Sequence, residues 1–186
     1  MIIKNFAPPG CGMRGKKIFL TGKPGIGKTT IIKKWIEKIG KEKTAGFFTE
    51  EIRKKGERAG FKIKTMEGEE AILAVKGRGK FCVGKYKVNI ENLEKLGVKA
   101  IEKGIENDGI EVIIIDEIGK MELFSEKFKK AVINAIESPK TVLGVITMAK
   151  NEFVDRIKER KDILIVEVNR DNREILGEKN PVKEEI

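Results

Sequence analysis

Residues 22–29 of this chain read Gly-Lys-Pro-Gly-Ile-Gly-Lys-Thr, which matches the phosphate-binding pattern G-x-x-x-x-G-K-[ST] at every constrained position. In such a loop the backbone N–H groups and the positive end of the following helix surround a phosphate. Gly25 and Gly27 let the backbone approach it, because a Cβ atom would obstruct the approach or forbid a positive φ. Lys28 is placed to reach the β- and γ-phosphates, and the Thr29 hydroxyl to ligate Mg²⁺. The motif predicts that the chain binds a nucleoside triphosphate.

The residues on both sides of this loop support the motif. Residues 17–21 (KIFLT) form a short apolar run suited to a buried strand. Downstream, apolar residues recur at i, i+3, i+4 and i+7 over residues 32–39, which predicts one face of a helix that Gly40 can close. We therefore expect strand, loop and helix in that order. The predicted nucleotide contacts in this segment are Gly22, Lys23, Pro24, Gly25, Ile26, Gly27, Lys28, Thr29 and Thr30.

A second candidate site lies about ninety residues downstream, where residues 111–117 (EVIIIDE) form a β-branched apolar run ending in two carboxylates. A fully apolar strand belongs in the middle of a parallel sheet, and ligands bind at the C-terminal ends of such strands. We expect Asp116 to hold the Mg²⁺ shell and Glu117 to reach the attacking water. The predicted nucleotide-binding stretch here comprises Val112, Ile113, Ile114, Ile115, Asp116, Glu117, Ile118 and Gly119.

Hydrolysis requires a group that orients or deprotonates water against the γ-phosphate, a role that a Gln has in Ras-like enzymes. The chain contains no Gln and no His, so the role falls to a carboxylate. Glu117 is the best placed, with Glu122 and Glu50 as alternatives. The Asp116–Glu117 pair also looks like the additional-strand division of P-loop proteins, which have a further strand between the phosphate-loop strand and the Asp strand. Residues 141–146 (TVLGVI) suit that strand, and Thr147 at its end suits a sensor of the γ-phosphate.

Residues 116–124 (DEIGKMELF) resemble the signature of the small THEP-type nucleoside-triphosphatases, also called the cancer-related NTPase family. Further blocks agree in order at residues 46–53, 60–63, 83–88 and 172–173, and the similarity runs from about residue 16 to residue 176. Membership implies a RecA-like sheet and slow Mg²⁺-dependent hydrolysis of ATP, GTP, CTP, UTP and TTP to the diphosphate and phosphate. No guanine-reading N-K-x-D motif follows Asp116, so we expect low base selectivity.

Charge that develops on the γ-phosphate is often neutralised by an arginine finger. Arg173 is the preferred candidate among Arg156, Arg160, Arg170 and Arg173, because Asn172-Arg173 follows the last core strand and belongs to the resemblance. Two other functions remain open at this stage. A nucleoside or nucleotide kinase would use an arginine-rich lid, for which Arg53, Arg58 and Arg78 are candidates. A nucleotide-gated module would instead bind RNA or a protein partner.

Composition limits the remaining possibilities. The chain has 186 residues, 40% of them hydrophobic, so we expect one domain. It has no run of eighteen apolar residues, so we expect no membrane span. We expect a cytoplasmic location. Residues 1–90 carry a net charge of +14 and residues 91–186 one of −4; the basic half attracts triphosphates and could hold nucleic acid. The abundance of Lys, Glu and Ile is typical of proteins from hot environments. Cys11 and Cys82 lie far apart in the sequence with no second cysteine pair, so we expect no cysteine-ligated metal site.

The pattern of elements predicts an α/β fold, a doubly wound and mainly parallel sheet of the P-loop (RecA-like) type with an added β-meander. The meander is assigned to residues 44–53, 60–65 and 71–76. A helix is expected over residues 89–105 with Leu93, Leu96, Ala100 and Ile101 facing inward. Ser125 is expected to cap the next helix, and residues 163–168 to form the last central strand. We expect a loose extension over residues 1–15, the domain over residues 16–178 and a C-terminal tail over residues 179–186.

Overall fold

A computed structural model describes residues 15–186, and these residues form one sheet of nine strands flanked by helices. The predicted extension lies outside the described residues except for Gly15, as does Cys11. The strands are β1 (Lys17–Thr21), β2 (Thr44–Lys54), β3 (Glu57–Thr65), β4 (Glu70–Lys76), β5 (Cys82–Val83), β6 (Tyr86–Val88), β7 (Val112–Ile118), β8 (Thr141–Ile146) and β9 (Leu164–Glu167). The helices are α1 (Lys28–Ile39), α2 (Ile90–Asn92), α3 (Lys99–Glu106), α4 (Glu126–Glu137), α5 (Glu152–Lys158) and α6 (Arg173–Glu178).

The strand order is β5-β6-β4-β3-β2-β7-β8-β1-β9, and the five strands from β2 to β9 in this order are parallel neighbours. The strand β8 lies between β1 and β7, as expected from the Asp116–Glu117 pair. Because parallel strands end at the same edge of a sheet, this order brings the loop after β1 close to the acids that end β7. The predicted mainly parallel, doubly wound fold is confirmed.

Helices cover both faces of the parallel core. On one face α1 and α6 pack over Ile18, Leu20 and Val145, and the Trp35 indole N–H donates a hydrogen bond to the Leu176 carbonyl at 2.7 Å. On the other face α3, α4 and α5 pack over side chains such as Ile113 and Ile115. A strand covered on both faces must be apolar on both, which explains the unbroken run of isoleucines in β7.

The strand β2 belongs to both parts of the sheet, whereas the sequence assigned it to the meander alone. Its first residues pair in parallel with β7 as far as Phe48 opposite Asp116. The rest of β2 continues to Lys54 and pairs antiparallel with β3. Residues 49–54 therefore extend about 20 Å beyond the last β7 pair, at about 3.3 Å per residue. The strands β3, β4, β6 and β5 widen the sheet on this side.

The helix predicted over residues 89–105 is interrupted by a π-helical turn, Leu93–Val98, between α2 and α3. The wider turn changes which side chains face inward: Leu93 and Ile101 are buried as predicted, and Val98 is buried with them. Leu96 is only partly buried and packs on the rim of the core, and Ala100 is also only partly buried. The turn also brings Gly97 against the sheet, where an added Cβ would lie 2.8 Å from Ile63 Cδ1.

Residues 179–186, the expected tail, contain no helix or strand but contact the domain. The Lys16 ammonium donates hydrogen bonds to the carbonyls of Pro181 at 3.2 Å and Glu184 at 2.8 Å. Val182 and Ile186 pack partly buried against the α1 face. Across residues 15–186 no helix combines the length and apolar character needed to cross a membrane.

Candidate functional site

The loop between β1 and α1 depends on three glycines with positive φ, for two different reasons. Gly25 (φ 76°) and Gly27 (φ 108°) have no atom within 4 Å of an added Cβ, so their backbone conformation favours glycine and the space beside them is open. At Gly22 (φ 140°) a Cβ would lie 2.6 Å from the Val168 carbonyl oxygen. The loop is therefore open toward a ligand and closely packed against the segment after β9.

Lys28 lies inside this loop, and its ammonium donates hydrogen bonds to the carbonyls of Gly22 at 2.8 Å and Lys23 at 3.0 Å. The helix α1 begins at Lys28, its N-cap Gly27 has no side chain to cap it, and its first turn has no acidic residue. The backbone N–H groups of that turn have no side-chain acceptor, which is the arrangement that favours an anion at a helix N-terminus.

Asp116 ends the apolar part of β7 with its side chain buried, and its Oδ2 atom has no hydrogen-bond partner among the described residues. Burial is the main cause that raises the pKa of Asp116 to about 7; the Glu117 charge adds to the shift, and a hydrogen bond from Thr29 and the Lys28 charge oppose it. A buried, unsatisfied carboxylate oxygen beside a threonine hydroxyl fits the hard oxygen ligands that Mg²⁺ takes.

Within residues 15–186 no group of three or more His, Cys, Asp and Glu could hold a metal ion alone. Mg²⁺ at phosphate sites is typically held by one or two protein ligands, with water and phosphate oxygens completing its shell. Thr29 and Asp116 fit that small donor set.

Glu117 and Glu122 approach each other across Gly119. An added Cβ at Gly119 would lie 3.0 Å from Glu122 Oε2 and 3.1 Å from Glu117 Oε1, so the two oxygens are separated by no more than the sum of these distances. Burial raises the pKa of Glu117, and the Lys28 charge opposes this shift. Burial, with the nearby Glu117 charge, raises the pKa of Glu122 to about 8. The sequence suggested Glu122 only as an alternative base, because its burial against Gly119 is a tertiary contact.

Glu50, the other alternative base, is held in ion pairs. Its carboxylate lies 2.7 Å from the Lys33 ammonium and 3.3 Å from the Lys62 ammonium. Hydrogen bonding with Lys33 is the main cause that lowers the pKa of Glu50. A paired carboxylate with a lowered pKa is a weaker base than Glu117, whose pKa moves in the opposite direction.

Thr147 follows β8 and lies beside the acidic end of β7, where its backbone N–H donates to the Ile118 carbonyl at 3.1 Å. Its hydroxyl accepts a hydrogen bond from the Ala149 N–H at 3.3 Å, and its carbonyl accepts one from the Lys158 ammonium at 2.7 Å. Burial lowers the pKa of Lys158. The contacts position Thr147 near the acids, and its sensor role stays a prediction.

The candidate arginine fingers differ in their present contacts. Arg160 is held by Glu137 at 2.6 Å and Asp162 at 2.8 Å. Arg173 opens α6 with an exposed side chain, and its Nε lies 3.3 Å from Glu174 Oε1. The loop that leads to α6 adjoins the phosphate-binding loop, since the Val168 N–H donates to the Thr21 carbonyl at 2.8 Å. Arg173 therefore follows a loop that adjoins the site, but it has no described contact with Lys28 or Glu117. Its role as an arginine finger stays a prediction.

The arginines considered for a kinase lid lie in the widened part of the sheet. Arg53 at the end of β2 pairs with Glu51 at 2.6 Å, and Arg58 on β3 pairs with the same carboxylate. Arg78 follows β4. Two of the three side chains are thus engaged within the β2–β3 hairpin.

A model of the NTPase family matches residues 17–179 of the chain. The chain belongs to this NTPase family. It is 46% identical over 161 residues to the nucleoside-triphosphatase THEP1 of Thermotoga sp. strain RQ2. The alignment covers 86% of this chain and 90% of that relative. The resemblance of residues 116–124 to the THEP-type enzymes is confirmed.

Two solved structures of NTPase-family proteins share the fold. THEP1 from the hyperthermophile Aquifex aeolicus aligns with a TM-score of 0.80 at 36% identity, covering 91% of this chain and 99% of that one. A human cancer-related nucleoside triphosphatase aligns with a TM-score of 0.75 at 36% identity, covering 88% and 94%. The chain thus shares the fold of these two proteins over most of its length.

Proposed function

We propose that this protein hydrolyses nucleoside 5′-triphosphates to the diphosphate and phosphate with Mg²⁺ as cofactor. The observation that carries the proposal is the pairing of an open phosphate-binding loop with the unsatisfied, buried carboxylate of Asp116. The names of the relatives, nucleoside-triphosphatases, support the same reaction. We propose low base selectivity across ATP, GTP, CTP, UTP and TTP, because no guanine-reading motif is present.

In this proposal the loop and α1 bind the triphosphate. The backbone N–H groups of residues 25–30 surround the β- and γ-phosphates, and the Lys28 ammonium exchanges its loop carbonyls for phosphate oxygens. Thr29 and Asp116 hold Mg²⁺, which when bound neutralises charge on the phosphates. A cation bound beside Asp116 would favour its carboxylate over its neutral form.

Glu117 is the proposed general base. A water proton passes to the Glu117 carboxylate as the water oxygen bonds to the γ-phosphorus. The bond between that phosphorus and the β,γ-bridging oxygen breaks, and its electron pair stays with the departing diphosphate. Burial makes Glu117 a stronger base than an exposed glutamate, because its raised pKa brings it closer to neutral pH.

Transfer to an acceptor, as in a nucleoside or nucleotide kinase, is less well supported. Kinases of that type need arginines free to close over the phosphates, and Arg53 and Arg58 are engaged by Glu51. Phosphate on an added acceptor, rather than free in solution, would favour the kinase instead.

The test is phosphate release from five triphosphates, measured with Mg²⁺, with EDTA, and with nucleoside and nucleotide acceptors. We expect Mg²⁺-dependent free phosphate from all five at comparable kcat/KM. Lys28→Ala is the control: it removes the charge on the phosphates, so binding and turnover should both collapse. A thousandfold preference for one base, or normal hydrolysis by Lys28→Ala, would contradict the corresponding part of the proposal.

A further inference from the structure

The segment from Ala71 to Ile90 contains five cations and no acidic residue. Its cations, which we call the basic edge, are Lys76, Arg78, Lys80, Lys85 and Lys87. All five side chains are exposed. They lie on β4, on β6 and in the turns on either side of β5, at the end of the sheet farthest from β1 and β9. The basic edge is thus separate from the candidate nucleotide site.

The fold concentrates these charges instead of spreading them along the chain. The turn after β4 lies on the Lys87 side chain, because an added Cβ at Gly79 would be 3.1 Å from Lys87 Cε. Lys76 pairs with Glu57 at 3.1 Å. Within residues 15–186, the other four cations of the basic edge form no ion pair within 4.0 Å. Lys85 acts on the nearby Glu57 charge, which leaves Arg78, Lys80 and Lys87 available to an anionic partner.

An apolar groove runs beside the same cations. Ile72 and Val75 are 48% and 40% exposed, which is unusual for large aliphatic side chains on a strand. Together with Phe81 and Lys87 they line a shallow groove of about 340 Å³. The Lys80 ammonium lies 5.3 Å from the centre of the Phe81 ring. Lys80 and Lys87 thus border an apolar groove in which the Phe81 ring is half-buried against Phe124.

We propose that the basic edge and its groove bind single-stranded nucleic acid. The free cations fit the phosphates of the strand, and the Phe81 ring with the exposed aliphatic side chains fits its unstacked bases. A double helix keeps its bases stacked inside, so it would satisfy the cations and leave the groove unused. Charge and apolar surface together therefore select a single strand.

Binding is tested by fluorescence anisotropy with a labelled oligothymidylate and oligouridylate of fifteen nucleotides, without any triphosphate, so that the result does not depend on hydrolysis. We expect the logarithm of the binding constant to fall linearly with the logarithm of the salt concentration. The slope should be about −0.7 for each phosphate contacted. The triple variant Arg78→Gln, Lys80→Gln, Lys87→Gln should bind at least about tenfold more weakly, with a slope shallower by about 2. No binding at low salt would overturn the proposal.

The matched control is Lys130→Gln, Lys150→Gln, Lys161→Gln, which removes the same charge from exposed lysines on other elements. It should change affinity by less than about twofold, since it alters only the long-range field. An equal loss in both triple variants would show attraction to net charge alone and would overturn the assignment to the basic edge.

A second variant tests the groove. Phe81→Leu keeps an apolar side chain but removes the ring, and should weaken oligonucleotide binding severalfold while leaving the binding of polyphosphate unchanged. Polyphosphate and an acidic peptide of equal charge are compared with the oligonucleotide. If either bound as tightly, the surface would be one for another polyanion and the proposal would be overturned. Thermal unfolding of each variant checks the fold; if the triple variant is unfolded, Arg78→Gln alone, at an exposed turn, replaces it.

Discussion

Glu122 Oε2 accepts a hydrogen bond from the Gly119 backbone N–H at 3.2 Å, so a fully buried carboxylate closes the loop that follows the acidic end of β7. The Leu123 N–H donates to the Gly119 carbonyl at 3.1 Å in the same turn. Glu117 Oε1 also lies close to this glycine, 3.1 Å from an added Cβ at Gly119. The turn therefore fixes the space available to the proposed general base.

Gly119→Ala should lower turnover severalfold while nucleotide affinity stays within a few fold. The new methyl group would meet the oxygens of both Glu117 and Glu122 at about 3 Å, so these carboxylates must give way by a few tenths of an ångström. A misplacement of about 1 Å can cost about 100-fold in rate, so this smaller shift should cost less. Steady-state kinetics and nucleotide titration separate the two effects. Gly109→Ala, at an exposed turn, is the control. Unchanged kcat in Gly119→Ala would show that the packing at Gly119 does not position the base.

Stability without nucleotide should fall as the pH rises from about 4.5 to about 8. The pKa of Glu122 is raised from 4.5 to about 8 in the folded protein, so in this window the folded state holds a proton that the unfolded state has lost. Asp116, with its pKa raised to about 7, contributes in the same direction. Glu122→Gln should reduce the slope of the unfolding free energy against pH, by at most about 1.4 kcal/mol per pH unit. Denaturant unfolding at pH 5 and pH 8 measures it, and an unaltered slope in Glu122→Gln would exclude Glu122 as its source.

Glu117→Ala and Asp116→Ala should fail in different ways. Loss of a general base lowers the rate by roughly 10²-fold or more, so Glu117→Ala should keep nucleotide affinity within a few fold and lose turnover. Asp116→Ala should instead weaken the Mg²⁺-dependent part of nucleotide binding, because it removes the proposed ligand. Titration of nucleotide with Mg²⁺ and with EDTA, combined with single-turnover rates, distinguishes them. If Glu117→Ala hydrolysed ATP normally, the general base would be another group. Glu122, which lies beside the same glycine as Glu117, would be the next candidate.

Local patterns in the sequence were sufficient to predict the strands, helices and loop that form the candidate site. The phosphate-binding loop follows from consecutive residues, and the central position of β7 follows from its run of isoleucines. The motif marks position 22 as glycine, but its close packing against the Val168 carbonyl did not follow, because Val168 is distant in sequence. The π-helical turn at Leu93–Val98 was missed for a similar reason: helical periodicity assumes 3.6 residues per turn.

Arg173→Ala should slow hydrolysis and spare nucleotide binding. We expect basal turnover well below about one per second, under the usual enzyme range, because the Arg173 side chain is exposed and paired with Glu174 in the free protein. An arginine finger typically contributes about 10³- to 10⁵-fold, so even partial docking of Arg173 on the nucleotide should make the loss at least about tenfold.

The control for this variant is Arg78→Ala, which removes an exposed arginine at the far end of the sheet and should leave turnover unchanged in the absence of nucleic acid. Phosphate release under saturating ATP measures kcat for both, and nucleotide titration measures affinity. A rise in turnover with protein concentration would indicate that a second copy helps to dock the finger. If basal turnover were fast and Arg173→Ala left it unchanged, Arg173 would have no part in the mechanism. No activating contact would then be needed.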